Sequence, residues 1–115
     1  MASRWHITRT EGELVLCRQR PARFDVVAVT TLPMGDPVRL AHQIRQDLWR
    51  ALQRVRGFSP VVRLTRDGEA IRVEAGGRVA SPVSPRLAAR ISEVLEHPDK
   101  RRRWITQAQR KAKGF

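Results

Sequence analysis

The sequence predicts a single α+β domain: a mostly antiparallel five-stranded sheet with helices on one face, in the order β-β-β-α-β-β-α-α. Three observations carry that expectation. Asp36-Pro37 is followed by Leu40, Ile44, Leu48, Ala51, Leu52 and Val55 at helical spacing, which marks one long central helix. Short runs rich in β-branched residues lie on both sides of it. Asp67-Gly68 stands between two such runs and signals a tight hairpin. A chain of 115 residues with 41% hydrophobic content fits one folded domain with a modest core.

Residues 4–10 read as a strand with Trp5 and Ile7 on one face. Glu11-Gly12 makes a two-residue turn, and residues 14–18 return with Ile7 opposite Leu16 and His6 opposite Cys17. Pro21 interrupts the pattern before a third strand at 24–32. Asp36 is a good N-cap and Pro37 suits the first helical position, so the central helix is expected to run to Arg56 and stop at Gly57. Residues 60–74 form the second hairpin. An Asp67-Gly68 loop would set Leu64 against Ile71, Val62 against Val73, and Arg63 against Arg72, two like charges that repel unless water or an anion covers them. Gly76-Gly77 and residues 81–85 read as loop. Ser84 then caps a helix with the apolar stripe Leu87, Ile91, Val94 and Leu95, ended by His97-Pro98. Asp99 is expected to cap a last helix from Lys100 to Ala112. Residues 1–99 would then be the core, and 100–115 a basic helix and tail packed on it or extending from it.

Charge is the main functional signal. The formal net charge is +12, and residues 100–115 supply +7 of it through Lys100, Arg101, Arg102, Arg103, Arg110, Lys111 and Lys113, with no acid among them. The first 99 residues supply the remaining +5. Concentrated cations without compensating acids point to a polyanionic partner. Lys100, Arg101 and Arg102 would sit in the first turn of the last helix, where the dipole disfavours cations by roughly 0.3–1 kcal/mol each. A phosphate there would relieve the conflict. The bland reading is a helix that closes the core with solvated arginines; its Trp104, Ile105, Ala108 and Ala112 share one face. The basic residues are 20 Arg and 3 Lys, a bias that a GC-rich genome also produces.

The central helix offers a second basic face. Arg39, Gln43, Gln46, Arg50, Gln53 and Arg54 point to solvent, flanked by His42, Arg45, Trp49 and Arg56, with Asp47 the one acid. Arg and Gln are the side chains that read guanine and adenine edges, although an ordinary wet helix face looks the same. No second helix follows after a short turn, so this is not a helix-turn-helix. Trp49 lies toward the polar side. It is expected to be covered by another element such as the last helix, or else to stack on a base or enter an interface.

Other chemistry finds little footing. His6, His42 and His97 sit on different elements at no metal-ligand spacing. Asp67 and Glu69 flank a turn glycine, which is turn chemistry before it is a metal-binding carboxylate pair. There is no Gly-x-Ser-x-Gly elbow, no phosphate-cradling glycine loop and no Tyr. Cys17 alone allows no internal disulfide and reads as a small buried hydrophobe. No cofactor or metal is implied, and the expectation is a non-enzymatic protein. The chain's start carries no apolar leader-like run and no segment is long enough to span a bilayer, so the expected location is the cytoplasm.

The expected function is nucleic-acid binding, DNA favoured over RNA. It would use the last helix together with Arg39, Arg45, Arg50 and Arg54 of the central one. The rival is an interaction module or adaptor that meets an acidic protein through the same helices and Trp49, with a homodimer through sheet edges as a further option. A membrane surface is disfavoured because Trp104 and Ile105 are the only large apolar groups on the basic helix.

Overall fold

The computed structural model describes residues 4–80 and 82–109. Arg110, Lys111, Ala112 and Lys113 therefore lie outside the described residues. Eight elements follow in the expected order: β1 (His6–Thr10), β2 (Glu13–Cys17), β3 (Val26–Pro33), α1 (Pro37–Leu52), β4 (Ser59–Asp67), β5 (Ala70–Arg78), α2 (Pro85–Glu96) and α3 (Pro98–Gln109). The strands form one antiparallel sheet ordered β1-β2-β4-β5-β3. α1 packs across β4, β2 and β5, and α2 across β3 and β5, while α3 rests mainly on α1 and α2.

Strand alternation builds the core. Leu14 and Leu16 of β2, Val62 and Leu64 of β4, and Ile71, Val73 and Ala75 of β5 all point toward the helices and are buried. Leu40, Ala41, Ile44, Leu48 and Leu52 meet them from α1, and Leu87, Ile91, Val94 and Leu95 from α2. Asp36 and Ser84 cap these helices through side-chain bonds from Val38 N and Arg86 N. Ala51, expected in the buried stripe, is exposed.

The first hairpin has the expected register, with Ile7 opposite Leu16 and His6 opposite Cys17. The second differs. Its loop is Gly68-Glu69, with Gly68 at φ 61° in the first loop position that a type II′ turn reserves for glycine. The register therefore shifts to Leu64–Val73, Val62–Ala75 and Arg63–Glu74. The shift keeps every side chain on its predicted face and replaces the Arg63–Arg72 clash with a bidentate ion pair of 2.8 and 2.7 Å. That hydrogen bond also holds the Glu74 carboxyl below its ordinary pKa and raises Arg63.

Three boundaries move for physical reasons. α1 ends at Leu52, not Arg56, because the chain turns there through Val55 N to Leu52 O and Phe58 N to Val55 O bonds that carry Phe58 into the core. Gly76-Gly77 belongs to β5 rather than to a loop. A Cβ on Gly76 would lie 2.0 Å from Val26 O, and one on Gly77 2.0 Å from Ser59 O, so the flanking strands close in only around bare backbone. α3 begins at Pro98, and its cap is His97 instead of Asp99: His97 O accepts from Arg101 N at 3.0 Å and His97 Nδ1 from Lys100 N at 3.4 Å.

Candidate nucleic-acid interface

Two buried polar side chains in the core, Thr30 and Asp47, determine where α3 docks. Trp104 is fully buried and donates its Nε1–H to Asp47 Oδ2 at 2.6 Å, and the Arg103 guanidinium donates to the same oxygen. Arg101 donates to Thr30 Oγ1 at 2.9 Å, to the Leu95 carbonyl at 3.0 Å and to the Thr31 carbonyl on the edge strand at 2.7 Å. Asp47, read from sequence as the lone acid on a wet helix face, is an interior acceptor that fastens one helix to another. A buried carboxylate requires such donors.

The earlier start of α3 puts Asp99 and Lys100 in the first turn and moves Arg101 and Arg102 beyond it. Arg101 and Arg103 are engaged with the body of the protein, and Arg102 pairs with Asp99 at 3.3 Å in solvent. The stacking of three dipole-opposed cations is thereby relieved without an anion.

The α1 cations divide similarly. Arg39 donates to Gln107 of α3 at 3.3 Å. Arg45 is half-buried, with its guanidinium 4.4 Å from the centre of the Trp5 ring and one nitrogen 3.4 Å from His42 Nδ1. Burial, and secondarily the Arg45 charge, pushes the His42 pKa down, which favours the neutral ring. Burial also lowers Arg45 itself. Arg50 and Arg54 are exposed, Arg54 in the turn beyond α1 rather than on its face. Trp49 is not covered by α3 as expected but stands 40% exposed; the tryptophan under that helix is Trp104.

Arg86 and Arg90, which the sequence did not single out, converge with Arg56 on a concavity. A cleft of about 470 Å³ opens between the end of α1 and the start of α2. Its floor is Val55, Val79 and Leu87, and its rim carries Arg56, Arg86 and Arg90 with Ser84 and, among the described residues, no acid. Arg90 is held in place by donating to the Ala51 carbonyl in the last turn of α1 at 3.0 Å, where a cation is favoured by the helix dipole. Next to it, sharing Arg90, is a second depression lined by Ala51, Glu93, Val94, His97 and Lys100. Four cations thus line the two hollows against one acid, Glu93. Arg50 precedes Ala51 in the last turn of α1, and Arg54 stands in the turn just beyond it.

A signal for this cluster existed in the sequence. Arg86 and Arg90 are four residues apart on one helix face, a like-charge pair that an isolated helix disfavours by roughly 0.2–0.5 kcal/mol. Arg56 joins them only through the fold.

Cys17 is buried, and burial pushes its thiol pKa up despite Arg20 and Arg78 nearby. His6 Nδ1 lies 2.8 Å from an Arg20 nitrogen. Asp67 and Glu69 are exposed at the hairpin tip. Among the described residues no three His, Cys, Asp or Glu side chains gather as a metal site, and no helix is long and apolar enough to cross a membrane. Compared with known proteins, the chain matches no family model, no curated protein and no solved structure.

Proposed function

We propose that this protein binds nucleic acid, DNA in preference to RNA, through the helix-side surface where α1, α2 and α3 meet. The observation that carries the reading is the convergence of Arg56, Arg86, Arg90 and Lys100 on two adjoining hollows whose lining holds a single acid. Backbone phosphates are what such a surface recognises, and they position a nucleic acid without reading its sequence. Exposed Arg50 on α1 and Arg54 in the turn beyond it extend the contact. The preference for DNA rests on the sheet: the strand segments carry no Phe, Tyr or Trp, whereas single-stranded RNA readers of the sheet type stack bases on several strand aromatics.

Fluorescence anisotropy with a labelled duplex and a labelled single strand, in about 50 and 200 mM salt, tests this. Four to six neutralised phosphates correspond to a log–log slope of roughly −4 to −5. Affinity that does not change with salt would refute the reading.

A second reading has its own support. Trp49 is a large exposed aromatic on α1, one turn beyond the Arg45 that stacks on Trp5. Exposed Trp beside Arg is the composition of a protein-binding hot spot. Tight, salt-insensitive association with an acidic protein, lost in Trp49→Ala, would support an adaptor instead.

A further inference from the structure

The cleft at the start of α2 has a shape that a continuous nucleic-acid backbone does not exploit. It is a concavity of about 470 Å³, within the size range of small-ligand sites, and its apolar floor lies beneath a cationic rim. A duplex running over the surface would bring one singly charged phosphodiester to the mouth and leave the floor of Val55, Val79 and Leu87 unused. A chain end or a free nucleotide can enter. Its phosphate monoester carries about −1.5 to −2 charge at neutral pH, a better match to three guanidiniums than a diester. The sugar and base would then lie over the apolar floor.

From this arrangement we infer that the cleft formed by Arg56, Arg86 and Arg90 over Val55, Val79 and Leu87 is a subsite for the phosphate monoester of a nucleotide, such as the 5′-phosphorylated end of a strand. The inference deepens the nucleic-acid reading and, for a strand end, rests on it. The helix end alone is not the recognition element, because Arg86 N and Leu87 N are already bonded to Ser84 Oγ and Ser84 O. Recognition comes from the guanidiniums. Arg90 is oriented by the Ala51 carbonyl. Arg56 and Arg86 are exposed, and their side chains make no hydrogen bond or ion pair among the described residues. Planar forks of this kind bind phosphate oxygens in pairs.

The test compares a single-stranded oligonucleotide with a 5′-phosphate against the same oligonucleotide with a 5′-hydroxyl, on the full chain, by anisotropy at fixed salt. The phosphorylated strand is expected to bind roughly tenfold more tightly, the worth of about one charge-assisted hydrogen bond. In Arg86→Gln and Arg56→Gln, both on exposed positions, the preference should fall toward unity while the 5′-hydroxyl strand loses far less. In parallel, titrating deoxyadenosine 5′-monophosphate should move the backbone amide resonances of Val79, Ala80 and Leu87 more than inorganic phosphate does. Equal affinity for the two ends, with salt-dependent binding intact, overturns the subsite and leaves the nucleic-acid reading standing. Resonance shifts with the mononucleotide but no oligonucleotide binding overturn that reading and assign the cleft to free nucleotides. Equal shifts with inorganic phosphate overturn the nucleotide assignment, since the floor then contributes nothing.

Discussion

Arg101 of α3 and Arg86 of α2 are both helical arginines in a strongly basic protein, and they are differently committed. Arg101 directs its guanidinium inward, to Thr30 Oγ1 and to the Leu95 and Thr31 carbonyls. Arg86 faces a cleft of apolar and cationic residues and makes no side-chain hydrogen bond or ion pair among the described residues. The same contrast separates Arg103, which serves Asp47, from Arg56. What distinguishes the regions is not charge density, which is higher in α3. It is the presence of interior acceptors. Where the core holds an oxygen that must be satisfied, a nearby arginine becomes a structural donor. Where the floor is apolar, the guanidinium stays available.

The largest effect should come from removing the anchor of α3. Trp104→Ala deletes a fully buried indole and should destabilise the domain by about 3–5 kcal/mol in urea unfolding. Asp47→Ala should cost less, about 1–3 kcal/mol, by leaving the Trp104 Nε1–H buried without its acceptor. An unchanged midpoint in both variants would mean that α3 is an appendage and its arginines are free, which would erase the contrast.

How much of this was legible in the sequence follows the same division. The order of the elements and the core face of the second hairpin could be read, because apolar periodicity and cap residues such as Asp36 and Ser84 are local signals. The docking of Trp104 was readable from its position on the helical wheel. Pairing partners were not. The second hairpin's register depended on Gly68 taking the first loop position and on Glu74 reaching Arg63, one a backbone preference and the other a cross-strand charge. The role of Asp47 was hidden because its partners lie more than fifty residues away, at 56 and 57 positions. For the same reason the cleft went unread: Arg56 and Arg86 belong to separate elements and meet only when the end of α1 comes beside the start of α2. Local charge counting found Lys100 but also selected Arg101 and Arg103, which the core had already claimed.

The contrast can be sharpened by pairing one variant from each region. Arg101→Met should lower stability by about 1–2 kcal/mol through the lost bonds to Thr30, Leu95 and Thr31, with the salt slope of DNA binding unchanged. Arg86→Gln should leave stability within about 0.5 kcal/mol and reduce the slope by roughly 0.9. The reverse pattern, binding lost in Arg101→Met and folding lost in Arg86→Gln, would show that the two arginines have been assigned the wrong way round.

The smallest effect belongs to Arg102, which fits neither class. It pairs with Asp99 three residues away on the surface of α3, with both side chains at least 74% exposed. Exposed pairs contribute about 0–1 kcal/mol, so Arg102→Gln should scarcely move the unfolding midpoint. Its guanidinium lines a separate depression with Arg101, beside Glu96 and away from the hollows that Arg90 joins, so the slope of binding against salt should also stay within error of the parent. A drop as large as that in Arg86→Gln would extend the phosphate-binding surface over the outer face of α3. Commitment to the core would then not be what decides which arginines meet DNA, and proximity to the C-terminal charge would matter after all.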